Sequence, residues 1–238
     1  MRPANAYKVA LFLTRNPECT AAEFTEAWIG GGNPGPAPGL GTHVYNAPGL
    51  SAVPIENAPP APFDGVDEYS FDSAASAAMF FASDRFAADW IAPRAQLLAA
   101  PILAISGPAH VLWDRAGPPP ANPVKILTLP VRRAGMSQAD FGDYWIHSHF
   151  SLAIGGPGTS ERLRQAVTCP ADGCVLVPFG AAPFDGIGTI VFDNMADLEA
   201  EFSSAHYRDR LAPDEPKFTD PAKSRAMMVR ETILFSNA

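Results

Sequence analysis

The sequence predicts an α+β protein made of two copies of one β-α-β-…-α-β unit joined in tandem. Three observations predict it. Residues 22–28 read AEFTEAW and residues 139–145 read ADFGDYW, so Phe24 and Trp28 recur as Phe141 and Trp145 at an offset of 117. Residues 61–66, APFDGV, recur as 182–187, APFDGI, at an offset of 121. Ser70-Phe71-Asp72 answers Val191-Phe192-Asp193 at that second offset. Matches in one order and at nearly one spacing mark a duplication of about half the chain, so function is to be sought where the copies differ.

Each copy opens on a short apolar strand, 8–14 and 124–131. A turn and a helix follow. Thr20 and Glu23 have the spacing of a capping box, and Ser137 with Asp140 in the first turn is the corresponding start in the second copy. A Pro- and Gly-rich excursion comes next, longer in the first copy (30–62) than in the second (155–183). Strands at 65–71 and 186–192 lead to second helices starting near Ser73 and Asn194. There Ala75, Met79, Phe80 and Phe86, and Leu198, Phe202 and Ala205, recur at helical spacing. Final strands fall at 109–113 and 227–235. The expected units are 1–115 and 124–238, with a stiff linker, AGPPPANP, at 116–123.

Helices on one face of a mostly antiparallel sheet give the ferredoxin-like pattern. One such sheet leaves an apolar face bare. Two units packed face to face cover each other as a covalent pseudo-dimer, with pockets between sheets and helices.

Composition narrows the function. With 238 residues, 47% apolar and 18% charged, the chain can build a core. A net charge of −8 and no basic stripe exclude nucleic acid and an anionic membrane surface as expected partners. The first apolar run, 9–13, reads as a strand and not a signal peptide, and no stretch is long enough to span a bilayer. Three cysteines fit a reducing cytoplasm, and Cys169 and Cys174 read as loop thiols, so no metal is expected. A small molecule is the expected partner, and the pseudo-dimer is expected as a monomer or a homo-oligomer.

Residues 130–153, PVRRAGMSQADFGDYWIHSHFSLA, resemble the opening of EthD-like domains: a strand, an Arg-rich turn, a Phe-x-x-x-Trp helix and a His four residues after the Trp. Residues 207–220, YRDRLAPDEPKFTD, resemble that family's closing segment. The first copy shares only FxxxW and the APFDG strand. The resemblance implies a tandem, fused member of the dimeric α+β barrel superfamily. That superfamily includes lactone isomerases, polyketide cyclases, cofactor-free oxygenases and haem enzymes, so no single reaction follows from the fold.

Phe141, Trp145 and His149 lie at i, i+4 and i+8, and Leu152 is three further on, so His149 ends an apolar, inward stripe. Burial keeps such an imidazole neutral and able to take a proton. Its position in the first copy is Gly32, and that of His147 is Gly30, within a glycine run (30–39) expected to lie over the partner's pocket. His147 falls on another face, near Asp143. His43 is a candidate for the lost imidazole from the opposite wall. Tyr144 and Tyr207 are candidate phenol donors, Arg132 a candidate anion holder, and Trp28, Trp145 and Phe141 candidate stacking surfaces. His149, Tyr144 and His43 are the expected catalytic set, and Trp145, His147, Arg132, Trp28 and Phe141 the expected binding set. The expected function is cofactor-independent, His-mediated proton transfer on a small apolar, aromatic or polyketide-like substrate, as isomerase, cyclase or lyase. A cofactor-free oxygenase and a non-catalytic binding protein are the alternatives, and haem through an axial His stays open.

Overall fold

The computed structural model describes residues 6–32, 34–49, 63–174 and 176–237. The first half contributes β1 (Tyr7–Leu13), α1 (Ala21–Gly30), β2 (Leu40–Pro48), β3 (Gly65–Phe71), α2 (Ala74–Phe81), β4 (Leu103–Pro108) and β5 (His110–Asp114). The second contributes β6 (Val124–Leu129), α3 (Gln138–Asp143), α4 (Phe150–Ile154), α5 (Thr159–Arg162), β7 (Leu163–Pro170), β8 (Gly180–Ala181), β9 (Gly186–Phe192), α6 (Met195–Phe202) and β10 (Arg225–Ser236). The helix starts follow the side chains that cap them. Thr20 Oγ1 accepts from Glu23 N at 3.2 Å while Glu23 Oε2 accepts from Thr20 N at 2.8 Å. Ser137 Oγ and Asn194 Oδ1 cap α3 and α6 by accepting from Asp140 N and Asp197 N.

The strands form one sheet in the order β5-β7-β9-β6-β10-β2-β3-β1-β4-β8. Two strands cross between halves. β10 pairs with β6 through Arg225–Val229 and then with β2 up to Ser236. β4 pairs with β1, and after Ala109 its continuation β5 pairs with β7. Each half therefore lends its last strand to the other, and the sheet curls into a barrel. The chain after β7 lies along β4, with Asp172 N and Ala182 N donating to Ser106 O and Ala104 O, both at 3.0 Å.

Strand alternation sorts the side chains. Val9, Leu11 and Leu13 of β1 face the helices of the first half, while Ala10 and Phe12 face inward. There they meet Val66 and Ile105 from their own half and Leu127, Leu129, Ile187 and Met227 from the other. The two sheet faces thus cover each other, as expected, and each fully buried side chain such as Leu127 stabilises the barrel by roughly 2 kcal/mol. The inner face also buries charge. Lys8 and Lys125, one repeat apart, both donate to Glu68, at 2.6 and 2.5 Å, and Lys125 reaches Glu231 at 2.7 Å. Burial alone would raise the Glu68 carboxyl, but Lys125 and Lys8 hold it well below its ordinary value.

Sequence periodicity did not reveal β2 and β7. Both lie inside the Pro- and Gly-rich excursions, where turn residues obscure the alternation. The last strand of the first half also begins earlier than expected, at Leu103. Among the described residues no helix is long and apolar enough to cross a membrane.

Candidate active site

A cavity of about 360 Å³ lies between the sheet and the helices of the second half. Trp145, His149, Ile190, Tyr207, Glu215 and Phe218 are among the residues that line it. The volume suits a small organic ligand. The indole of Trp145 lies close against the sheet because β9 carries glycine beneath it. A Cβ on Gly188 would come 2.9 Å from that ring.

The helix that presents His149 is not a regular α-helix. Between α3 and α4 it opens into a π turn, Tyr144–His149, where Phe150 N donates to Trp145 O. Such turns re-aim side chains and recur at functional sites. His149 ends this turn with its side chain 15% exposed. Its Nδ1 lies 3.0 Å from Asp214 Oδ2, and its ring packs on Phe218 at 4.8 Å between centroids. Asp214 is buried and collects two further donors, Tyr144 Oη at 2.8 Å and Lys217 Nζ at 2.9 Å.

The electrostatics follow from these contacts. Burial raises the Asp214 carboxyl, but His149, Lys217 and Tyr144 outweigh it and leave it below its ordinary value. An ionised carboxylate only accepts, so Nδ1 carries the imidazole proton and Nε2 is left as a base. Burial holds His149 below its ordinary value against the pull of Asp214, so the ring is neutral at neutral pH. Among the described residues Nε2 has no hydrogen-bond partner. The pair can orient an imidazole and accept a proton from a molecule in the cavity.

The other predicted residues are dispersed. Trp145 shares the cavity with His149. Tyr144 does not line it, because its phenol is bound to Asp214. Phe141 is fully buried behind Trp145 at 5.5 Å. His147 is exposed beside Asp143 at 3.7 Å. Arg132 is partly exposed and contacts Gln138 and Asp185.

His43 and Trp28 belong to the first half and do not reach the cavity. Strand register sets His43 opposite Tyr69 and Ala166 opposite Ile190, so the repeat mate of His43 is Ala166. His43 is fully buried, 3.2 Å from Asp67 and stacked on Tyr69 at 4.1 Å. Trp28 Nε1 donates to Asp67 at 2.9 Å. The glycine run packs on its own half as well: the Arg94 guanidinium abuts Gly31, and Arg85 Nη1 reaches Pro36 O at 3.4 Å.

Sequence reasoning missed Asp214 and Glu215. The available signal was DEPKF, present only in the second half. No periodicity marks those two acids, because they sit on a 3₁₀ turn, Ala212–Lys217. Burial lifts Glu215 to about 7, with the Asp214 charge adding to the effect and Tyr207 opposing it. Glu201, also in the lining, is paired with Arg162 at 2.6 Å and accepts from Thr159 Oγ1 at 2.8 Å.

Part of the second half is similar to a known family. Residues 133–222 match the EthD domain. The EthD segment holds the π turn, His149, Asp214 and most of the cavity wall. No curated protein shows significant sequence similarity to the chain. Solved structures match it in fold over nearly its whole length. A Fusobacterium nucleatum protein proposed to be a monooxygenase is 10% identical with a TM-score of 0.59, covering 99% of this chain and 94% of its own. A protein of Lactobacillus acidophilus, also proposed to be a monooxygenase, is 11% identical with a TM-score of 0.55, covering 97% and 96%. An anthrone oxidase-like protein is 14% identical with a TM-score of 0.59, covering 100% and 98%.

Among the described residues no group of three or more His, Cys, Asp or Glu could hold a metal. His149 could offer an axial nitrogen to a haem, but the lining does not fit the rest of one. It supplies the carboxylates Glu201 and Glu215 and one guanidinium, Arg225, whose Nη1 donates to the carbonyls of Ala222 and Ser224. Two haem propionates would meet two carboxylates and a single guanidinium among these groups.

Proposed function

We propose that the protein is an enzyme that removes a proton from a small, uncharged, aromatic or polyketide-like substrate, with His149 as base and Asp214 as the residue that orients it. The observation that carries this reading is the His149–Asp214 pair on the wall of a mostly apolar cavity, its Nε2 unengaged. Tyr144 and Lys217 act through Asp214 and fix its carboxylate. Trp145, Ile190 and Phe218 give the ligand flat, apolar walls, which suit an uncharged substrate. The carbanion or enolate formed leads to isomerisation, cyclisation or loss of water.

A second reading, in which the same anion meets O₂, is favoured by the fold neighbours proposed to be monooxygenases and by the anthrone oxidase-like one. Anthrone is a neutral carbon acid that tests both. The protein should accelerate exchange of its acidic C–H with deuterium, followed by NMR in D₂O, and His149→Gln should lower that acceleration by about 10²–10⁴-fold. Exchange that His149→Gln leaves unchanged contradicts the reading. Oxygen uptake on anthrone addition, read on an electrode, selects the oxygenase branch, and its absence the isomerase or lyase branch.

A further inference from the structure

We propose that Glu215, with Tyr207 beside it, is the proton donor of the cavity, hydrogen-bonding as a neutral carboxylic acid to a carbonyl or hydroxyl oxygen of the substrate. This rests on the base assignment for His149. The geometry is a contrast between neighbours. Asp214 and Glu215 follow each other on a 3₁₀ turn, where successive side chains point roughly 120° apart. The turn is held by Phe218 N and Thr219 N, which donate to Glu215 O at 3.2 and 2.9 Å. Asp214 turns to His149, Tyr144 and Lys217 and is paired with donors. Glu215 turns into the cavity, where Tyr207 is its neighbour.

Burial sets the protonation of both groups. It lifts Glu215 to about 7, and burial together with the nearby Glu215 raises the Tyr207 phenol as well. Two carboxyls one residue apart thus divide into an ionised orienting group and an acid, because their surroundings differ. The other titratable or charged groups on the cavity wall are His149 from the π turn, Glu201 from α6 and Arg225 from β10.

In the proposed step His149 Nε2 takes a proton from carbon, and the C–H electron pair becomes the enolate double bond. The carbonyl oxygen takes the Glu215 proton, leaving an enol, an imidazolium and a carboxylate. The imidazolium then gives its proton to the substrate at another carbon while the enol O–H returns its proton to Glu215, which restores the carbonyl and both groups. The substrate class that fits is an uncharged aromatic ketone or polyketide with an acidic C–H conjugated to that carbonyl.

The test uses the intact protein and 9-fluorenone, a neutral ketone with no acidic C–H, so its binding does not depend on a base. Wild type should bind it about tenfold more weakly at about pH 8.5 than at about pH 6, because Glu215 ionises between them and loses its donor. Glu215→Gln keeps an N–H donor and should remove this pH dependence while holding affinity at the lower pH within about threefold. His149→Gln should keep the dependence. In ligand-free protein, a carboxylic-acid C=O infrared band should vanish over the same interval in wild type and be missing in Glu215→Gln. Binding that ignores pH in wild type, no binding at the lower pH, an absent infrared band, or pH dependence lost in His149→Gln but kept in Glu215→Gln would each overturn the proposal. Failure of the base assignment shows separately, as anthrone exchange untouched by His149→Gln.

Discussion

The two halves of the barrel turn the same helix face to opposite uses. In the first, the space between sheet and helices is solid. Tyr69, Phe71, Phe80, Phe81, Phe86 and Trp90 fill it, and Phe179 enters from the second half, 5.2 Å from Phe81. Arg94 seals it, 2% exposed, 3.4 Å from the centre of the Trp90 ring, and bound to the carbonyls of Trp28, Trp90 and Gly32. In the second half Ile190 stands where the repeat has Tyr69, and Leu211, which precedes its 3₁₀ turn as Ile91 precedes the other, lines the cavity. The loss of the Tyr69 ring leaves room for the cavity. Asp214 stands where the repeat has Arg94, and His149 where it has Gly32. One half has exchanged an imidazole and its carboxylate for glycine and a buried guanidinium. The difference teaches that a duplicated fold can keep its packing face as core in one copy and as a site in the other.

The sharpest way to break this comparison is to remove one imidazole from each half. His149→Gln should cost about 10²–10⁴-fold in anthrone exchange, and Asp214→Asn, which no longer favours the same tautomer, about 10²-fold or more. His43→Gln should leave exchange within about twofold, since distant sites act independently. Equal losses from both halves would erase the distinction drawn between them.

A second asymmetry lies inside the barrel, where Glu68 of the first half is matched by Thr189 of the second. Glu68→Gln leaves Lys8 without its carboxylate and Lys125 with Glu231 alone, and should lower unfolding stability by ~3–5 kcal/mol at neutral pH in urea melts. The folded state holds this carboxyl below its ordinary 4.5, so the unfolded chain binds the proton first. Its contribution is complete above that value and lost as pH falls toward the folded one, so the gap between wild type and variant should narrow in acid. A gap that does not change with pH would contradict the ionised assignment.

A smaller effect sharpens the packing side. Ile190→Tyr, which restores the ring of Tyr69, together with Leu211→Trp adds aromatic bulk to the cavity wall. Fluorenone affinity should fall by about tenfold or more with the cooperative melt retained. Unchanged affinity would place the ligand elsewhere.

Much of this was legible in the sequence. The FxxxW and APFDG repeats carried the duplication, and the loss of His149 and His147 to Gly32 and Gly30 pointed to the half that holds the cavity. The i, i+4, i+8 stripe placed His149 beside Trp145. What stayed hidden has physical causes. A π turn breaks the regular helical period at the residues that matter, so Tyr144 faces Asp214 and not the ligand. The His149–Asp214 contact spans 65 residues, a separation no local pattern records. His43 looked free to cross the pocket because its strand was masked by the prolines and glycines around it.

The central claim is that the second half alone offers a neutral imidazole to a ligand. Nitrogen-15 NMR of the histidine side chains, recorded with and without fluorenone at about pH 7.5, tests it most directly. The account predicts His149 protonated on Nδ1 and bare on Nε2, with the Nε2 resonance moving when fluorenone binds and His43 unmoved. A proton on Nε2 of His149, or a shift confined to His43, would contradict it.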